Sequence, residues 1–266
     1  MSASKTGELQ EILEKTVQRM IRGFTGKTRY REPVFGYASA SDPRFAQLRR
    51  DMVPGHLLPQ HLLPEARSVF CFFVPFEGSV VAANRKSSLC ADEWAIAYEE
   101  TNALLSQICE TLTQELGKLG VAAAWLQPTR NFDPVALRSA WSHKSVAVIA
   151  GLGTLGLHQM LITERGCAGR VGSIVTSADL PLNPPKWHAK ELCGFYQGGK
   201  CKSCISLCPV GAIHEPHGDR ISLDKSRCHA QCLRVHEYFS GDRGFHGTFD
   251  ICGKCATGPC SLTSFC

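Results

Sequence analysis

Apolar residues recur at helical spacing near the amino end, where Leu9, Ile12, Leu13, Val17, Met20 and Ile21 share one face. Thr6 stands ahead of that stripe as its expected N-cap. A longer stripe through Thr101, Leu104, Leu105, Ile108, Leu112, Leu116 and Leu119 predicts the longest helix, from about Trp94 to Leu119, with Gly120 as its stop. Cys109 lies beside this stripe and reads as a small core residue. Between the two stripes, SVFCFFVPF (68–76) is unbroken apolar sequence rich in β-formers, the pattern of a buried strand. VAAAWL (121–126), SVAVIA (145–150) and VGSIVT (171–176) predict further strands, and a helix is expected near 134–144. The prolines of DLPLNPPKW (179–187) mark a connector. The pattern divides the chain into an α/β domain over 1–185 and a region of short loops over 186–266.

Composition narrows the class. With 266 residues, 44% of them hydrophobic and 20% charged, the chain can build a core and is not a disordered one. No apolar run is long enough for a transmembrane helix, and MSASKTGELQEILEKT lacks the apolar stretch of a secretory signal, so a cytoplasmic protein is expected. A net charge of +5 permits an anionic partner without demanding nucleic acid. The 14 cysteines change the picture more. Cys71, Cys90, Cys109 and Cys167 are scattered, whereas Cys193, Cys201, Cys204, Cys208, Cys228, Cys232, Cys252, Cys255, Cys260 and Cys266 crowd the carboxyl end. Without an export signal, soft-metal ligation is a better reading than disulfides.

Cys201-x2-Cys204-x3-Cys208-Pro209 matches the end of the bacterial ferredoxin run, whose last cysteine serves the other cluster. Gly198 stands where the first ligand belongs, so Cys193, five residues upstream, is taken as the displaced ligand. Cys252-x2-Cys255-x4-Cys260 forms a second half, preceded by Cys228 and Cys232. Crossing the ligands gives one 4Fe–4S cluster on Cys193, Cys201, Cys204 and Cys260. The other takes Cys208, Cys228, Cys252 and Cys255, with Cys232 able to replace Cys228 and Cys266 spare. Zinc is the alternative, but the two CxxC pairs lie much further apart than the roughly 15–20 residues of common zinc sites. SVAVIA–GLGTLG–LHQMLI (145–162) reads as a strand, a Gly-x-Gly-x-x-Gly turn and a helix. Too few βα units follow for a dinucleotide domain, so a tight glycine turn packing helix on sheet competes with a phosphate site.

The ordered combination of AGLGTLGLHQMLITERGCAGRVGSIVTSADLPL (150–182), CKSCISLCPVGAI (201–213), LDKSRC (223–228) and CGKCATGPC (252–260) resembles the epoxyqueuosine reductases, which share architecture with the corrinoid-dependent reductive dehalogenases. The resemblance covers roughly residues 65–266. It implies an α/β (α+β) fold, with a nitroreductase-like corrinoid-binding domain followed by a ferredoxin-like double-cluster domain. It also implies single electrons from a low-potential donor of ferredoxin or flavodoxin type, passed through the clusters to cobalamin, whose Co(I) state reduces the substrate. FMN on the same scaffold, or a carrier without catalysis, are the alternatives.

Site residues follow from the same resemblance. The backbone of Gly151, Gly153 and Gly156 would lie against the corrin, and His158 would approach it or ligate cobalt, unless it is simply a first-turn helix residue. Asp133 is the nearest match to the family's catalytic acid, although it lies further from the glycine turn, and with Pro134 it also reads as a helix N-cap. His143 and Lys144 would either complement that helix's end or hold an anionic substrate or cofactor phosphate. Tyr98 is a further candidate proton donor. The family carries a helical-repeat region after the ferredoxin part that contributes to tRNA binding, and this chain stops at Cys266. A small-molecule or nucleoside substrate is therefore expected, with tRNA left open. The first motif also carries an insertion, and the second reads GPC where the family has a C-P pair.

Overall fold

In the computed structural model the apolar run 68–76 becomes the centre of the molecule. The structure describes residues 3–129, 131–182, 191–198, 200–217, 222–241 and 251–264. In chain order its main elements are α1 (Ala3–Arg22), β1 (Val34–Ser39), β2 (Ser68–Pro75), α2 (Gly78–Lys86), α3 (Asp92–Lys118) and β3 (Ala123–Ala124). After these come α4 (His143–Ile149), β4 (Gly153–Leu155), β5 (Leu161–Thr163), β6 (Gly169–Thr176), α5 (Ser203–Leu207) and α6 (Lys225–Ser240). Every residue of β2 is buried, since both faces and both edges are covered. The sheet order is β1-β2-β6-β3, and every pairing in it is antiparallel. The fold is therefore mixed α and β around an antiparallel sheet.

Alternation along β2 separates two cores. Phe70, Phe72 and Val74 pack with the stripes of α1 and α3, including Leu9, Leu13, Val17, Leu104, Ile108 and Leu112. Val69, Cys71 and Phe73 face the other way, toward Phe45, Trp141, Val146 and Ala147. A third apolar cluster starts at Phe76, Val80 and Trp94 and runs into the carboxyl-terminal region through Ile213, Val235, Phe239 and Ile251. The expected division at 185/186 falls among residues outside the described ones, as do Cys266 and most of the 179–187 connector.

Several expectations fail for physical reasons. SVAVIA is not a strand: it lies in α4, begun by Ser142, whose Oγ accepts from Ser145 N–H. Val146, Ala147 and Ile149 are buried, and a short buried helix shows no polar face from which to read its period. The stretch 134–144 does not form the expected helix. Phe132–Asp133 and Arg138–Ser139 form a small antiparallel hairpin, and His143 and Lys144 begin α4 rather than end a helix. The helix expected after the glycine turn is absent too, because β4 and β5 pair as a hairpin with Gly153 opposite Thr163. Only Ala123–Ala124 of the 121–126 run is strand. Thr6 lies inside α1, not at its cap. The long helix and the strand at 171–176 are present as α3 and β6, each reaching two residues further toward the amino end.

Ser173 of β6 ties α4 to the sheet. Its Oγ accepts from Trp141 Nε1–H at 2.9 Å and lies 2.8 Å from His143 Nδ1, while His143 Nε2 lies 3.1 Å from the Leu126 carbonyl. The carbonyl can only accept, so Nε2 carries the proton and Nδ1 accepts from the Ser173 hydroxyl. Burial pushes the His143 pKa from 6.5 down to about 4. Above pH 6.5 the ring is neutral in folded and unfolded chains, and its stabilisation is present in full. As pH falls toward 4 the unfolded chain takes up a proton that the folded chain refuses. Stability is expected to drop over that window by at most roughly 3 kcal/mol. Urea unfolding across the window checks this: His143→Gln, which does not titrate, should show a shallower slope, and equal slopes would contradict it.

Candidate metal centre

The carboxyl-terminal cysteines sit on short turns that the rest of the chain holds in place. Cys201 and Cys208 flank α5, which carries Cys204, and Cys208 Sγ accepts from Ala212 N–H at 3.2 Å. Cys193 is buried, and the Glu191 carboxylate fixes its approach by accepting from Leu192 N–H, Cys193 N–H and Thr154 Oγ–H. Because Thr154 belongs to β4, the first of these cysteines is tied to the glycine-turn hairpin. The Cys260 segment runs beside the start of β6, with Cys167 N–H and Ala168 N–H donating to the carbonyls of Cys260 and Ser261, each at 2.9 Å. Asn84 of α2 donates to the Cys252 carbonyl at 3.1 Å, and buried Lys254 donates to the carbonyls of Asn84 and Ser87.

The electrostatics sort these thiols by neighbourhood. Burial pushes Cys204 up to about 12, and the sulfurs that add to this are Cys260, Cys193 and Cys201. Burial also raises Cys252, with Cys228 and Cys208 adding to it. Cys255 is raised well above the ordinary thiol range, first by burial and then by Cys252, Cys228, Cys204 and Cys208. These influences link Cys204 with Cys193, Cys201 and Cys260, and link Cys252 and Cys255 with Cys208 and Cys228, while Cys204 also acts on Cys255. Cys228 moves the other way, down to about 7, because Cys232 hydrogen-bonds it and Lys144 attracts it. Thiols whose ionisation is opposed by their neighbours form a donor set that a soft cation relieves.

A third group went unread in the sequence. His158, Cys167 and Cys260 are all buried, and one ligand atom from each lies within 4.8 Å of the others. Cys167 Sγ is 4.0 Å and His158 Nε2 3.6 Å from Cys260 Sγ. In the sequence Cys167 is only one of the scattered cysteines, and its place at the entry to β6 sets it beside Cys260.

The residues expected to bind a corrinoid or do chemistry are placed differently from one another. Gly153 is required by its own hairpin, since a Cβ there would lie 1.8 Å from the Ile162 carbonyl oxygen. Gly156 leaves room for the His158 ring, whose Cε1 would lie 2.8 Å from such a Cβ. Gly151 turns the chain at φ +78°. Lys144 Nζ donates to the Gln159 carbonyl at 2.7 Å, and its pKa is lowered by burial and Lys225 but supported by Cys228 and Cys255. Asp133 is exposed and accepts from the N–H groups of Val135 and Ala136, which lower its pKa. Tyr98 lies buried beneath the Arg170 guanidinium, 4.2 Å from its ring centre. Two clefts are lined from α1, the 24–33 segment and the end of α3, and none of the expected corrinoid-binding or catalytic residues lines either.

No family model matches the chain. Epoxyqueuosine reductase of Salmonella typhimurium is 28% identical over 171 residues, covering 64% of this chain and 40% of that protein. The enzyme of Escherichia coli K12 gives the same identity and length, and that of Synechococcus sp. CC9605 is 38% identical over 93 residues, 35% of this chain and 24% of its own. The chain thus spans less than half the length of these relatives. Among solved structures, an epoxyqueuosine reductase with an epoxyqueuosine-modified tRNA-Tyr stem loop is similar over 96% of this chain and 65% of its own, at 18% identity and TM-score 0.57. The catabolic reductive dehalogenase NpRdhA is similar over 97% of this chain and 37% of its own, at 15% identity and TM-score 0.56. Over its aligned region the chain is similar in sequence to epoxyqueuosine reductases, and over nearly its whole length its fold is similar to theirs and to that of a reductive dehalogenase.

Proposed function

We propose that the chain is an iron–sulfur reductase that holds two adjacent 4Fe–4S clusters and passes electrons through them singly. What supports this reading is the spacing of the cysteine motifs, together with the influence of neighbouring sulfurs on Cys204, Cys252 and Cys255, on a chain whose relatives are reductases. The first quartet, Cys193, Cys201, Cys204 and Cys260, would hold one cluster. Cys208, Cys228, Cys252 and Cys255 would hold the other, with Cys232 donating to Cys228 rather than replacing it. When bound, such clusters supply one-electron transfer over a wide range of potentials. Zinc would suit either quartet by donor type but supplies no redox chemistry.

This chain's own residues shape the second site. Lys144 brings a cation toward Cys228 and Cys255, offsetting negative charge where it would accumulate. The hairpin bearing Asp133 packs there too, with the Phe132 ring 5.6 Å from that of His229, beside Cys228. Electrons would come from a low-potential donor of ferredoxin or flavodoxin type and leave to a small-molecule or nucleoside acceptor. The modified tRNA of the neighbouring structure belongs to that complex.

The relatives imply a corrinoid beside the clusters, and Gly151, Gly153 and Gly156 would offer it their backbone. Both nitrogens of His143 are engaged within the chain and His158 Nε2 faces a sulfur, so neither histidine would ligate cobalt as placed. Asp133, exposed and ionised, is not in the form that donates a proton. No step is assigned to a corrinoid here, and the relatives lend none to FMN.

Anaerobically reconstituted protein is expected to carry about eight irons, four per cluster. Cys204→Ala and Cys255→Ala should each lose about half of that iron, whereas Cys232→Ser should keep it all. Stoichiometric zinc in place of iron would overturn the reading. In a separate titration, added cobalamin is expected to bind saturably with a shifted cobalt band. A visible spectrum that stays a simple sum of protein and cofactor would remove the corrinoid from the reading.

A further inference from the structure

His158 sits at the tip of the β4–β5 hairpin, in a turn shaped around its ring. Gly156 N–H donates to the Met160 carbonyl, Gln159 N–H donates to the Gly156 carbonyl, and Gln159 takes φ +60° to close the turn. The ring is only 3% exposed and fills the space that a side chain at Gly156 would need. Its two nitrogens do different things. Nδ1 accepts from Met160 N–H at 3.1 Å, so this nitrogen carries no proton. The proton is therefore on Nε2, which lies 3.6 Å from Cys260 Sγ, within reach of an N–H···S hydrogen bond. A backbone amide two residues along thus sets the tautomer, as second-layer partners do for metal-bound histidines.

We propose that His158 is a positioning residue that donates its Nε2–H to the Cys260 sulfur and thereby raises the reduction potential of the first cluster. The proposal rests on the reading of Cys260 as a ligand of that cluster. Reduction adds an electron to the iron–sulfur core and raises the negative charge on its sulfurs, so a fixed donor stabilises the reduced form more than the oxidised one. Cys167 completes the surroundings: its Sγ lies 3.9 Å from the Ala256 carbonyl and 4.0 Å from Cys260 Sγ. The Cys260 sulfur is thus enclosed by groups that exclude water, and in such a dry setting one oriented N–H counts for more. None of these groups belongs to the second quartet, so the effect falls on one cluster of the two.

The test is a redox titration of the anaerobic, iron-loaded protein followed by electron paramagnetic resonance. His158→Phe keeps a flat ring without a donor and should lower one midpoint while leaving the other in place. His158→Gln retains an N–H and should recover most of that loss. In wild-type protein labelled with ¹⁵N-histidine, pulsed resonance should find a nitrogen coupled to one reduced cluster, and His158→Phe should abolish the coupling. Unchanged midpoints in an iron-replete Phe variant would overturn the proposal. So would loss of one cluster's iron from both variants, which would make His158 a ligand or a strut. Wild-type protein that takes up no iron would overturn the reading beneath it, and the proposal with it.

Discussion

Crowded sulfur is the constraint on which the rest of this structure depends. The Cys204, Cys252 and Cys255 thiols are raised first by burial, because a thiolate removed from water loses its solvation, and then by nearby cysteine sulfurs that oppose their ionisation. A chain gains nothing from gathering thiols in this way unless a cation among them reverses the balance. The fixed geometry around them is costly in backbone entropy, and the chain meets that cost with tethers from its other half. Arg31 is the clearest: its guanidinium donates to the carbonyls of Phe76, Leu262 and Arg165, joining the end of β2 to both loops that flank the Cys260 segment.

These tethers remove any sharp line between scaffold and site. Phe76 and Trp94 meet edge to face, with ring centres 5.5 Å apart, and belong to the same apolar cluster as Cys193, Cys204 and Cys260. Trp94 also closes over the turn at Gly253, where φ is +66° and a Cβ would lie 2.2 Å from the indole. The surroundings of the cysteines and the packing of α3 and the sheet are therefore built from shared residues.

What the sequence made legible was what local spacing determines. The two CxxC pairs could be read as close neighbours because thiols on one short turn cannot separate far, whereas spacing alone does not say which other cysteine joins each pair. Strand β2 was legible because an unbroken apolar octet with β-branched and aromatic residues has few other uses. The failures share a cause. SVAVIA is too short and too apolar to reveal its period, and it became α4 because Ser142 caps it and Ser173 binds the residues beside it. Asp133–Pro134 looked like a helix start, but the same carboxylate satisfies two amides of a hairpin tip equally well. Cys167 could not be read at all, because its partner Cys260 is 93 positions away and the backbone contact that joins them depends on the register of β6.

The glycine turn shows how one string of letters serves different ends. Glycines in that spacing permit close approach, and a phosphate is the familiar object approached. Here the approaching objects are the chain's own: the Ile162 carbonyl against Gly153 and the His158 ring against Gly156. The consequence lies with the cysteines rather than with a nucleotide. By folding back as a hairpin, the turn presents His158 to Cys260 at its tip and Thr154 to Glu191, and through it Cys193, along its edge. Both contacts fall on the same quartet. The motif that most resembled a cofactor loop thus lies against Cys260 and the approach to Cys193, and its glycines are needed because it must lie within hydrogen-bonding distance of sulfur.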